Sequence, residues 1–164
     1  MNSYQRLFLM VGADMRHTPA LERAAALAHA TGATLHITAF IEETDTLGLI
    51  SGDEHLNQTR EQDTRQWLAD EATLLHENGI RVSTELILTR DLKQAALEQV
   101  AEIEPDLLIK GVHHEPAFKR LLFTPLDWQL LRECSCPVHL VSAVHCPLPR
   151  VVVAAVDPTH PDHP

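Results

Sequence analysis

The stretch Asp106 to Val141 reads DLLIKGVHHEPAFKRLLFTPLDWQLLRECSCPVHLV and holds most of the residues whose types and spacing could do chemistry. An apolar run, Asp106 to Lys110, closes on Gly111, and the loop after it carries His113, His114, Lys119 and Arg120. Thr124-Pro125 opens a short amphipathic segment, and Pro137 to Val141 is a second apolar run. Strand, polar loop, helix, strand is the layout of a small-molecule site at the carboxyl edge of a parallel sheet.

Other chemistries are weaker on the same residues. Imidazole and thiolate suit zinc, so His113 and His114 with Cys134 and Cys136 are a conceivable soft-metal set. No C-x-x-C or H-x-x-x-H spacing accompanies them, and no metal is expected. There is no G-x-S-x-G elbow and no G-x-x-x-x-G-K loop. Asp14, His113 and Asp127 could share one sheet edge, which leaves a nucleotide-processing enzyme as an alternative by fold analogy alone. The expected role is non-enzymatic. A further alternative is an apolar or lipid-like ligand, lined by Leu47, Leu49 and Ile50 from one loop and Phe118, Leu121, Leu122 and Phe123 from another. The simpler reading is that these side chains close the core.

Elements that alternate down the chain must position these residues. Leu7 to Val11 is a continuous apolar run, as in a strand covered on both faces. Thr18-Pro19 gives an N-cap and a first-turn proline, and Ala20, Leu21, Ala24, Leu27 and Ala28 recur at helical spacing up to Gly32. Thr34 to Ile41 is a second strand. Glu42 to Glu54 is a flap-like loop, and a helix from about His55 to Asn78 follows, with Leu68, Ala72 and Leu75 inside and Trp67 and Leu74 flanking. Ile80 to Leu88 is a third strand. Asp91 caps a helix whose face is Leu92, Ala95, Ala96, Val100 and Ile103, and Pro105 closes it. Five strands alternating with four helices imply an α/β fold, an open parallel sheet with right-handed crossovers and helices on both faces.

The chain has 164 residues, enough for one domain with a sizeable core. Its formal net charge is −10, which repels nucleic acid and anionic membrane, and no basic stripe offsets it. The three cysteines, Cys134, Cys136 and Cys146, and the absence of a secretory leader argue for reduced thiols in the cytoplasm. The tail repeats the start: Leu7 to Val11 then Gly12 parallels Val152 to Val156 then Asp157, and proline stands seven residues on in both, at Pro19 and Pro164. Residues 1–145 therefore read as one module, and 146–164 as a linker plus the first strand of a second, truncated one.

At this point the chain resembles the universal stress protein family, from about Arg6 to Val141. The marks are Asp106-Leu-Leu-Ile-Lys-Gly111 and Leu131-Arg-Glu-Cys-Ser-Cys-Pro-Val138, where the family has an "LR…CPV" run before its last strand. The helix Ala20-Leu-Glu-Arg-Ala-Ala-Ala-Leu-Ala28 agrees too. Phe123-Thr-Pro-Leu-Asp-Trp-Gln-Leu-Leu-Arg132 is similar to the first half of tandem, E-type members. The resemblance implies a Rossmann-like (HUP-type) sheet, dimers or tandem pseudo-dimers, and a cytoplasmic role in stress response.

ATP-binding members carry a G-x-x-G, nine residues, then G-S/T motif, whose glycines admit phosphates to the backbone. On these positions this chain has Gly111, His114, Thr124 and Pro125. The family's acid after strand one falls on Gly12, with Asp14 as a stand-in. The implied nucleotide site, Gly12, Asp14, Gly111, His113, His114 and Thr124, is thus expected to be degenerate. Pro125 removes an amide donor, and Asp127 is expected to accept from the backbone where a phosphate would sit. No cofactor is expected, and ATP is disfavoured. The expected partner is a second copy or a second module, joined through the strand Val138 to Val141.

Overall fold

The computed structural model describes residues 4–12, 18–43, 53–112, 114–115, 120–121 and 124–142, with the side chains of 53–57, 114–115 and 120–121 outside that description. In chain order the elements are β1 (Arg6–Gly12), α1 (Pro19–Thr31), β2 (Thr34–Glu42), α2 (Asp53–Glu77), β3 (Val82–Thr89) and α3 (Leu92–Ile103). They continue with β4 (Leu107–Gly111), β5 (His114–Glu115), β6 (Arg120–Leu121), α4 (Pro125–Glu133) and β7 (Val138–Val141). Five strands form one sheet in the order β3-β2-β1-β4-β7, and every neighbouring pair is parallel.

Alternation along β1 divides the core in two, because successive side chains leave opposite faces of a strand. Leu7, Leu9 and Val11 pack with Leu35, Ile37 and Ile109 beneath α1 and α2. Phe8 and Met10 pack with Phe40 and Leu108 beneath α3 and α4. Helices cover both faces, as the uninterrupted apolar runs required. The helix starts follow local chemistry: the Thr18 hydroxyl accepts from Leu21 N, and Asp91 Oδ1 accepts from Gln94 N at 2.9 Å. Gly32 ends α1 with φ 72°, the left-handed conformation that costs glycine least. Asp106 fastens β1 to the start of β4, with Oδ2 accepting from the amides of Gln5 and Arg6 at 2.7 and 2.8 Å.

The third helix closes before Pro105 as expected, with its C-cap Glu104 in the left-handed region at φ 46°. Other details differ from the sequence reading. On α2, Trp67 is buried and Leu74 is 53% exposed, while Thr64 and Glu71 join the buried side. What reads as plain loop after β4 contains a short antiparallel ladder, with His114 opposite Leu121 and Glu115 opposite Arg120. Both outer strands of the main sheet are free on one side among the described residues. β3 exposes Ser83, Thr84 and Glu85, whereas Val138, His139 and Leu140 of β7 are half-buried. The tail strand expected at Val151 to Val156 lies outside the described residues.

Candidate functional site

The strand order reverses at β1: β2 and β3 extend the sheet on one side, β4 and β7 on the other. Ligands of open α/β sheets sit in the crevice that this reversal opens at the carboxyl ends of the strands. A cavity of about 290 Å³ lies there. Gly12, Gly111 and Thr124 line it, so three of the six expected site residues meet at one place. Asp14 and His113 fall outside the described residues; His114 opens β5, and its side chain is not described. The rest of the wall is largely apolar, with Met10, Phe40, Leu92 and Leu126 prominent. Nothing lies within 4 Å of where a Gly12 side chain would begin, so space does not exclude an acid at the end of β1; this chain lacks one.

The floor is formed by the start of α4. Thr124 is its N-cap, Pro125 takes the first turn, and Asp127 closes a reciprocal capping box. Asp127 Oδ2 accepts from Thr124 N at 2.7 Å and from Thr124 Oγ1 at 2.9 Å. Its other oxygen, Oδ1, accepts from Lys110 Nζ at 2.7 Å. Lys110 Nζ also donates to its neighbour's carbonyl, Gly111 O, at 3.1 Å. The Asp127 side chain is fully buried and that of Lys110 is 13% exposed. An unpaired carboxylate in such a place would be strongly disfavoured, and the ammonium group compensates it.

Asp127 was foreseeable from its place three residues after Thr124. Lys110 was not singled out as a site residue, although one signal existed: it is a lone cation inside the run Leu-Leu-Ile-Lys-Gly. A buried strand tolerates a lysine only beside a partner. Among the described residues, no three or more of His, Cys, Asp and Glu gather in a way that could hold a metal. No described helix is long and apolar enough to cross a membrane. The apolar-ligand residues Leu47, Leu49, Ile50, Phe118, Leu122 and Phe123 lie outside the described residues, as does the side chain of Leu121.

A second, more polar depression of about 440 Å³ lies beside α3, over β2 and β3. There, His36 Nδ1 meets Ser83 Oγ at 2.6 Å, and Thr38 Oγ1 donates to Gln99 Oε1 at 3.4 Å. Burial and, next, the Arg6 cation hold His36 below the usual histidine value.

Comparison with known proteins agrees with the topology. The model of the universal stress protein family matches residues 3–142. Universal stress protein E of Photorhabdus laumondii is 32% identical over 164 residues, covering 96% of this chain and 51% of the relative. The Escherichia coli K12 protein of that name is 28% identical over 171 residues, covering 98% of this chain and 54% of the relative. The chain thus spans about half the length of the curated relatives it matches. Among solved structures, a universal stress protein family member from Burkholderia pseudomallei superposes with TM-score 0.69 at 21% identity, over 87% of this chain and 99% of that one. The Archaeoglobus fulgidus protein, in complex with dAMP, has TM-score 0.53 at 12% identity, over 85% of this chain and 98% of that one. With the family model spanning most of its length and the five-stranded parallel sheet in place beneath it, the chain belongs to the universal stress protein family.

Proposed function

We propose that the chain is a non-enzymatic, cytoplasmic module of stress response that works by binding and protein contact. Its crevice does not hold ATP in the geometry of the nucleotide-binding members. One observation carries this: the buried Asp127 carboxylate at the start of α4 occupies the amide and hydroxyl donors of Thr124 that a phosphate would need. Lys110, whose ammonium group reaches that point, is already engaged by the same carboxylate. Pro125 supplies no amide donor at all.

A rival reading keeps a nucleotide in the crevice. The dAMP complex of a protein with the same fold supports it, since one phosphate asks less of the cradle than three. An apolar or lipid-like ligand is favoured in turn by the apolar wall of the cavity. We further propose that residues 1–145 are one module and 146–164 begin another, in keeping with relatives about twice as long. Its partner, a second module or a second copy, would join through Val138 to Val141.

Calorimetric titration with ATP and magnesium, and separately with dAMP, tests the reading. The expected result is no ATP binding below millimolar concentration. Micromolar ATP binding that is lost in Thr124→Ala would overturn it. Micromolar dAMP binding would favour the single-phosphate rival, and lipid recovered by mass spectrometry from the purified protein would favour the apolar one.

A further inference from the structure

The polar depression beside α3 lies at the amino ends of the strands, away from the crevice: Arg6, His36 and Ser83 stand among the first residues of β1, β2 and β3. Along β2, Leu35, Ile37 and Ala39 face the core beneath α1 and α2, and Phe40 packs beneath α3. His36 and Thr38 leave the strand on the same face as Phe40, yet what surrounds them is polar: Arg6, Ser83, Glu85, Gln99 and Glu102. Thr38 and Gln99 are buried in the wall, at 1% and 5% exposure. Above them a volume of about 440 Å³ stays open.

A short contact joins His36 and Ser83, which face each other in the β2–β3 register. Ser83 Oγ stands 2.6 Å from His36 Nδ1. With the imidazole hydrogen on Nε2, the hydroxyl donates to Nδ1, which is how a base activates a serine. Burial, and then the Arg6 cation, hold His36 below 6.5, so at neutral pH the ring is free to accept a proton. Ser83 is exposed on the outer strand, within reach of an incoming molecule. Arg6 disfavours the imidazolium that follows proton transfer, but Glu85, Glu102 and the carboxyl end of α3 border the same depression and favour it. The two carboxylates also repel a phosphate donor, which leaves an uncharged carbonyl compound as the electrophile.

We propose that Ser83 is a nucleophile activated by His36, and that it takes an acyl group from an uncharged activated donor, a thioester or an aryl ester. Ser83 Oγ attacks the carbonyl carbon, and its proton passes to His36 Nδ1. The bond from that carbon to the sulfur or aryl oxygen breaks, and the leaving group takes the proton back from His36. One serine and one acyl donor give one serine ester and one thiol or phenol, with no change of oxidation state. The chain is the acceptor in a single transfer, independent of what the crevice binds.

The test treats the full chain with p-nitrophenyl acetate at neutral pH, quenches with acid and maps acetylated peptides by mass spectrometry. The expected product is an acetyl ester on Ser83, formed about a hundredfold faster than in His36→Gln. Glutamine can still hydrogen-bond to the hydroxyl but cannot take its proton, so a merely structural contact would leave the rate unmoved. Ser83→Ala should lose the fast release of p-nitrophenolate. No ester on Ser83, an equal rate in His36→Gln, or undiminished fast release from Ser83→Ala would each overturn the proposal. The mapping of the unsubstituted chain stands even if a substitution impairs folding.

Discussion

Neither member of the Lys110–Asp127 pair is well placed to be solvated when its partner is removed, since their side chains are 13% and 0% exposed. Lys110→Met leaves a buried carboxylate and should cost ~3–5 kcal/mol of unfolding free energy. Asp127→Asn keeps a capping acceptor but strands the ammonium, so it should cost a similar amount. The double variant Lys110→Met/Asp127→Asn should recover much of the loss, because no charge then remains unpaired. Urea denaturation of the three variants checks this; additive single losses would mean the two charges are not coupled. Half of this pair was legible in the sequence. Asp127 follows Thr124 at capping spacing, a local signal. Lys110 pairs with it across seventeen positions, and that proximity comes only from the sheet that carries β4 beside α4.

Elements announced themselves where their signals are local. Thr18-Pro19, Asp91 and Thr124-Pro125 start helices as their hydrogen-bonding capacity requires. The end of α1 makes a clean test of backbone conformation, because Gly32 has φ +72° and nothing lies within 4 Å of an added Cβ. Gly32→Ala should therefore cost about 1 kcal/mol from the left-handed backbone alone. A thermal melt measures it, and an unchanged midpoint would show that the cap relaxes. The β5–β6 ladder escaped the reading because two-residue strands are too short to show alternation. On α2 the stripe of Leu68 and Leu75 is buried as expected, and of the two flanking residues Trp67 joins it while Leu74 faces solvent.

At the scale of the molecule, two histidines sit on the sheet itself. His36 of β2 and His139 of β7 are each held below the ordinary value of 6.5, first by burial and then by a neighbouring arginine, Arg6 or Arg23. Arg23 Nη1 stands 3.4 Å from His139 Nε2. The unfolded chain takes up these protons as pH falls through 6.5, while the folded chain resists until lower pH. In that window the unfolded state binds more protons, so stability falls with pH. Melting temperatures between pH 7.5 and 5.5 should decline, and His36→Gln/His139→Gln should flatten the slope. An equal slope in the double variant would remove these residues from the cause. The parallel α/β class was legible from alternation alone, whereas strand order depends on contacts far apart in sequence.

The two outer strands differ in how much of their side chains they expose. β3 presents Ser83, Thr84 and Glu85 to solvent, and a charge on an outer strand discourages another chain from adding there. In β7, Val138, His139 and Leu140 are half-buried instead. Paired through β7 as proposed, such a module would have a valence of one. A filament needs two receptive edges per unit, so the proposed docking along β7 would terminate growth at a pair and leave β3 facing outward on each side.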